Sequence, residues 1–151
     1  MTVTDEQVAA LRAFLASEPD EAEPLTGQLV EADRLVGYGE LVHAAFVTAV
    51  RRRFSPSWSI PEVIGLVATV RAQLLDDGIH IDPRTSESLM RHALGDAVAT
   101  ELEKPATARA QVLLLGELIV DEGLDDAGLD EFLAQARTLA DRLMSGVTHR
   151  R

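Results

Sequence analysis

Three groups of residues in this 151-residue chain have the types and spacing that chemistry needs. The first is Glu40-Leu-Val-His43. A glutamate and a histidine three apart on a helix can ligate one iron of a di-iron bundle site. Such a site also needs a second Glu-x-x-His and two more inward glutamates, and no second Glu-x-x-His occurs here. His43 shares a helix flank with Val36, Val47 and Val50, so a half-buried, hydrogen-bonded histidine is the expectation. The second group is Ser88, His92 and Asp96, spaced by four. Three residues on one helix face bond along the helix and do not surround a substrate. No Gly-x-Ser-x-Gly elbow accompanies them. The third is Arg51-Arg52-Arg53, beside Phe54 and Trp58, the one basic island in an acidic chain.

The remaining signatures fail on spacing. His80 reads as a turn residue between two isoleucines, and His149 falls near the end of the sequence. The acidic stretches 76–87 and 121–130 lack the glycine and the oxygen-ligand spacing of a calcium loop. Lys104 lies between Glu103 and Pro105, outside any phosphate-binding loop, and Gly37-Tyr38-Gly39 lacks the third glycine of a dinucleotide fingerprint. No catalytic residue, metal or cofactor is therefore expected.

Composition narrows the classes further. The chain has no cysteine, which excludes disulfides, thiolate metal sites and a cysteine nucleophile. Net charge is −11, so a broad nucleic-acid surface, which needs a positive field, is not expected. Aromatic residues make up 4%, which leaves few platforms for stacking bases or sugars. The first residues show no secretory pattern, and the densest apolar run, 112–120, is broken by Gly116 and Glu117. It falls well short of the ~20 residues of a membrane span. A cytoplasmic protein without membrane contact is the expectation.

The elements that must position these residues are helices. The organising one opens at Ser59-Ile60-Pro61-Glu62. Ser59 and Glu62 have capping-box spacing, Trp58 and Val63 that of a hydrophobic staple, and Pro61 sits in the first turn. Ile60, Val63, Ile64, Val67, Val70 and Leu74 predict one inward stripe, and Gly78-Ile79 a Schellman stop. Thr4 and Gln7 form a second capping box, which opens a helix to about Ser17 with Val8, Leu11, Phe14 and Leu15 inward. Residues 4–17 read as a separable N-terminal arm, tied on by an acidic, proline-bounded linker over 18–24.

Residues 25–54 read as two helices, 25–36 and 40–54, or as one bent at Gly37 and Gly39. Asp82-Pro83 starts a helix that stops at Gly95, with Leu89, Met90, Ala93 and Leu94 inward. A short helix is expected at 97–103. Pro105 begins one that runs to Glu122, apolar on nearly all sides, which suits the middle of a bundle or a subunit interface. The last helix is capped by Asp125 or Asp126 and ends at about Ser145. It points Leu129, Phe132, Leu133, Ala136, Leu139, Leu143 and Met144 inward, and a frayed basic tail follows over 146–151. Residues 74–79 and 119–124 are alike because both stop a helix and turn a corner.

The architecture expected is all-α: one domain, an orthogonal or irregular bundle of about six to eight helices. Arg-Arg-Arg-Phe, then Trp-Ser-Ile-Pro-Glu-Val-Ile, Ile-Asp-Pro and Ala-Leu-Gly-Asp resemble small all-helical proteins of actinobacteria to which no activity is assigned. The resemblance covers about 38–145. It implies a fold class and a bacterial source, and carries no functional residue.

The function expected is a non-catalytic interaction or regulatory module whose partner is a second copy or another protein. Arg51, Arg52, Arg53 and Trp58 are candidate contacts. Such a module should show an apolar patch, expected on 105–122 or the first arm. The alternatives are a bundle that binds a small molecule or lipid in a cavity near Phe46, Trp58, Leu66 and Leu115, a helix-turn-helix DNA binder, and a metal-dependent enzyme using Glu40, His43 or His92.

Overall fold

The computed structural model describes residues 3–16, 35–54, 57–95 and 105–149; for 35–36, 105–106 and 145–149 it describes the backbone alone. Six α-helices, and no strand among the described residues, make the fold all-α: α1 (Asp5–Leu15), α2 (Leu35–Phe54), α3 (Ile60–Asp76), α4 (Pro83–Ala93), α5 (Pro105–Glu122) and α6 (Asp126–His149). None is long and apolar enough to cross a membrane, among the described residues. The expected linker at 18–24, all but the last two residues of the helix expected at 25–36, and the short helix at 97–103 lie outside the described residues.

The chain forms two compact units, Met1–Thr48 with Ile119–Arg151, and Ala49–Leu118. In the first, α1 packs against α6. Thr4 Oγ1 accepts the Gln7 N–H at 3.2 Å and Gln7 Oε1 accepts the Thr4 N–H at 2.9 Å, so the capping box closes. Arg137 donates to Asp5 Oδ1 at 2.6 Å and to the Val3 carbonyl at 2.7 Å. The Val3 N–H reaches Asp141 Oδ1 at 2.8 Å, and Arg12 Nε reaches Asp130 Oδ1 at 2.8 Å. Low numbers of α1 meet high numbers of α6, so the two helices run antiparallel. The ion pairs are exposed and worth little each; buried Val3, Ala10, Leu11, Leu15, Leu129, Phe132, Leu133 and Ala136 carry the unit's core.

In the second unit, α3 packs against α4. Ser59 Oγ accepts the Glu62 N–H at 3.4 Å and donates to Glu62 Oε1 at 2.9 Å. The carboxylate has taken the cap's hydroxyl rather than its backbone N–H, so this box closes on one side only. At the other end, the Ile79 N–H reaches the Leu74 carbonyl and the Gly78 N–H the Leu75 carbonyl, both at 2.9 Å. With Gly78 at φ +74°, this is the Schellman stop expected. Asp82 then caps α4 through the Thr85 N–H at 2.9 Å.

Several expectations about faces and ends need correction. Gly37 and Gly39 neither end nor divide α2, which is helical from Leu35 to Phe54. The Gly37 position faces the buried Gln7 amide, where a side chain would collide. α2 is also buried around most of its circumference: Leu41, Val42, Ala44, Ala45, Phe46, Val47, Ala49 and Val50 are all inside. Phe14 and Leu143, expected inside, are exposed; Gln7 and Ala140 are buried on those helices instead. α6 continues to His149, so 146–149 is helix rather than frayed tail. Gly146 is the weakest helix former there, and its cost of ~1 kcal/mol does not stop a long helix. Asp125 is the cap of α6, accepting the Gly128 N–H at 2.7 Å.

Candidate functional site

The candidate catalytic residues do not assemble. Glu40 and His43 are half-buried neighbours on α2, and no group of three or more His, Cys, Asp or Glu able to hold a metal occurs among the described residues. Ser88 is half-buried and His92 exposed on α4, and Asp96 lies outside the described residues. His80 is exposed; its carbonyl accepts from Arg109 at 2.9 Å. Of the positions expected around a cavity, Phe46 and Leu115 are fully buried, while Trp58 and Leu66 are half-buried.

The arginine island has a structural task in part. Arg51 Nε donates to the Ala93 carbonyl at 3.0 Å, so it satisfies an orphan acceptor at the C-terminus of α4. Arg52 and Arg53 are exposed, and the Arg53 guanidinium lies 5.8 Å from the Phe54 ring centroid. Phe54 itself is buried.

This chain matches no protein-family model, no curated protein and no solved structure.

What stands out is the outer face of α3. Val63, Val67, Val70 and Leu74 are buried, but Ile60, Ile64 and Leu75 are each 46% exposed. At 100° per residue, Ile64, Ala68 and Leu75 fall within about 40° of one another, with Ile60 and Ala72 on either flank. Ala68 lies within the row, and exposed Ala72 and Gly65 border it on one side. The expectation that Ile60 and Ile64 join the core is thus corrected. The inward stripe is a narrow row at 63, 67, 70 and 74, and the two isoleucines belong to a second apolar row turned outward.

The signal for this was in the sequence. Apolar residues on α3 span more than half of its circumference, wider than the stripe one packing face requires. The exposed row also lies on α3 rather than on 105–122 or the N-terminal helix. In α5 the apolar residues are mostly inside: Leu114, Leu115, Leu118 and Ile119 are buried, Val112 and Leu113 half-buried, and Val120 stands alone at 64% exposure.

Proposed function

We propose that this protein is a non-catalytic interaction module that self-associates through the outer face of α3. One observation carries the reading: three large aliphatic side chains, each nearly half exposed, lie in a single row along one helix. Single exposed apolar residues are ordinary, whereas an aligned set marks a contact surface. Ile60, Ile64 and Leu75 stand at i, i+4 and i+15, positions that return to one side of a helix.

The module needs no cofactor or metal. The same reading takes the chain as a cytoplasmic, single-domain irregular bundle of bacterial origin, for which the resemblance to small actinobacterial helical proteins is the support.

Sedimentation equilibrium tests it. Wild type should show a concentration-dependent dimer, and Ile64→Glu should raise the dissociation constant at least tenfold while helicity and melting temperature hold. A wild-type chain that stays monomeric up to millimolar concentration overturns the reading.

A further inference from the structure

The chain has no asparagine, and aspartate is followed by glycine at one place only, Asp77-Gly78. An aspartyl–glycyl pair isomerises more readily than aspartate before any larger residue, because glycine puts no side chain in the way of its own nitrogen. The Gly78 nitrogen attacks the carboxyl carbon of Asp77. A C–N bond forms, and the carboxyl hydroxyl leaves with the amide proton as water. Water then opens the five-membered imide. Opening at the side-chain carbonyl returns aspartate. Opening at the main-chain carbonyl leaves isoaspartate, with the chain rerouted through Cβ and Cγ. Water is the one other reactant, and it is released and taken up again.

The same two residues end α3. Asp77 is the C-cap, at φ −96° and ψ 9°, and Gly78 takes φ +74°. The Gly78 N–H donates to the Leu75 carbonyl and the Ile79 N–H to the Leu74 carbonyl, both at 2.9 Å. Ring closure needs the Gly78 nitrogen beside Cβ of Asp77, at a ψ of about −120°, outside the main allowed regions. Turning ψ there from 9° breaks both of those bonds, because Gly78 and Ile79 move with the rotation. Two more features hold the segment that follows. Leu74 is buried and Ile79 half-buried, the two positions whose apolar contact accompanies such a stop. Arg109, from α5, donates to the His80 carbonyl at 2.9 Å. Asp77 and Gly78 are themselves exposed, so water reaches the pair and backbone geometry is what restrains it.

We infer that Asp77 is a site of spontaneous covalent modification, controlled by the Schellman stop of α3. The closed stop holds the pair unreactive. Isoaspartate accumulates from the fraction of molecules in which the stop is open. The change then makes the opening permanent. Isoaspartate puts one extra carbon in the main chain between Cα of residue 77 and the Gly78 nitrogen. The Gly78 and Ile79 N–H groups fall out of register with the Leu75 and Leu74 carbonyls, and the modified chain cannot close the same stop.

Peptide mapping with electron-transfer fragmentation tests this, because it separates two isomers of equal mass. The chain is incubated at neutral pH and low protein concentration, folded and in guanidinium. The unfolded chain should form isoaspartate at 77 about tenfold faster than the folded one, or more. Ile79→Ala and Arg109→Ala each loosen the stop while leaving Asp77 and Gly78 in place. Each should raise the folded rate about threefold, and in guanidinium each should match wild type. Circular dichroism on both variants confirms folding, and Arg109→Ala, on an exposed side chain of another helix, keeps the test intact if Ile79→Ala unfolds. A faster folded rate in either variant supports the inference. Equal rates in the folded and unfolded wild type overturn it. So does an unfolded chain that forms no isoaspartate at 77, or an unchanged rate in every variant that folds.

Discussion

A β-carbon placed on Gly37 would lie 2.8 Å from Nε2 and 3.1 Å from Oε1 of Gln7. Gln7 is 3% exposed, and its Oε1 holds the Thr4 N–H that opens α1. The glycine in α2 and the cap of α1 are thus one feature, joined across 30 residues of sequence. Gly39, two residues on, is exposed with nothing within 4 Å of the same position. Alanine should therefore act with opposite sign at the two sites. Gly39→Ala should stabilise by about 0.5–1 kcal/mol, the usual helix gain. Gly37→Ala should destabilise by about 1 kcal/mol, because the displaced amide costs more than that gain. Urea denaturation of the two variants, with Gln7→Ala added to close a double-mutant cycle, reads both.

Tyr38 is the only tyrosine, and burial raises its phenol above the ordinary value of 10.0. The folded state keeps the proton longer than the unfolded chain. The stability this contributes is complete below pH 10 and is lost as pH climbs through the folded value. Absorbance at 295 nm should show tyrosinate forming at higher pH in native protein than in guanidinium. Coincident titrations would contradict the burial of Tyr38.

Asp82 is held below the usual carboxylate range, first by the Thr85 N–H and then by the Thr85 hydroxyl at 2.8 Å. A depressed carboxylate contributes stability above its unfolded value of about 4, and loses it as pH falls through the folded value. Asp82→Ala should cost about 1 kcal/mol at pH 7, as loss of a helix cap does. The difference from wild type should shrink below pH 4. Thermal melts across pH 2–7 measure it.

Neighbouring residues on α3 should separate cleanly. Val63 is fully buried, so Val63→Ala should cost about 2 kcal/mol through lost burial and a cavity. Ile64→Ala should change folding stability by less than about 0.5 kcal/mol, since its side chain already meets water. Chemical denaturation at low protein concentration, where association does not contribute, checks the pair.

That contrast shows how far the sequence could be read. Helix starts and stops were legible because they are local: Thr4, Ser59, Asp82, Asp125 and Gly78 each act on backbone groups within a few residues. Which side of a helix faces in was legible only where one face was apolar. On α3, Ile60 and Ile64 fit the inward period as well as Val63 and Val67 do, and only the positions of neighbouring helices choose between them. Gly37 illustrates the same limit. Local propensity makes a glycine there a break or a bend, but the reason for it is Gln7, a residue that sequence distance hides. The Arg51 bond to Ala93, across 42 residues, was beyond local reading too.

The proposed self-association has a second copy covering the outer row of α3. Hydroxyl-radical footprinting across a concentration series tests it most directly, since it reports each exposed side chain separately. Ile60, Ile64 and Leu75 should lose reactivity together as the chain associates, while Val120 and Phe14, exposed elsewhere, keep theirs. Unchanged reactivity at Ile64 and Leu75 in protein that has associated, or protection confined to Val120 and Phe14, would contradict it.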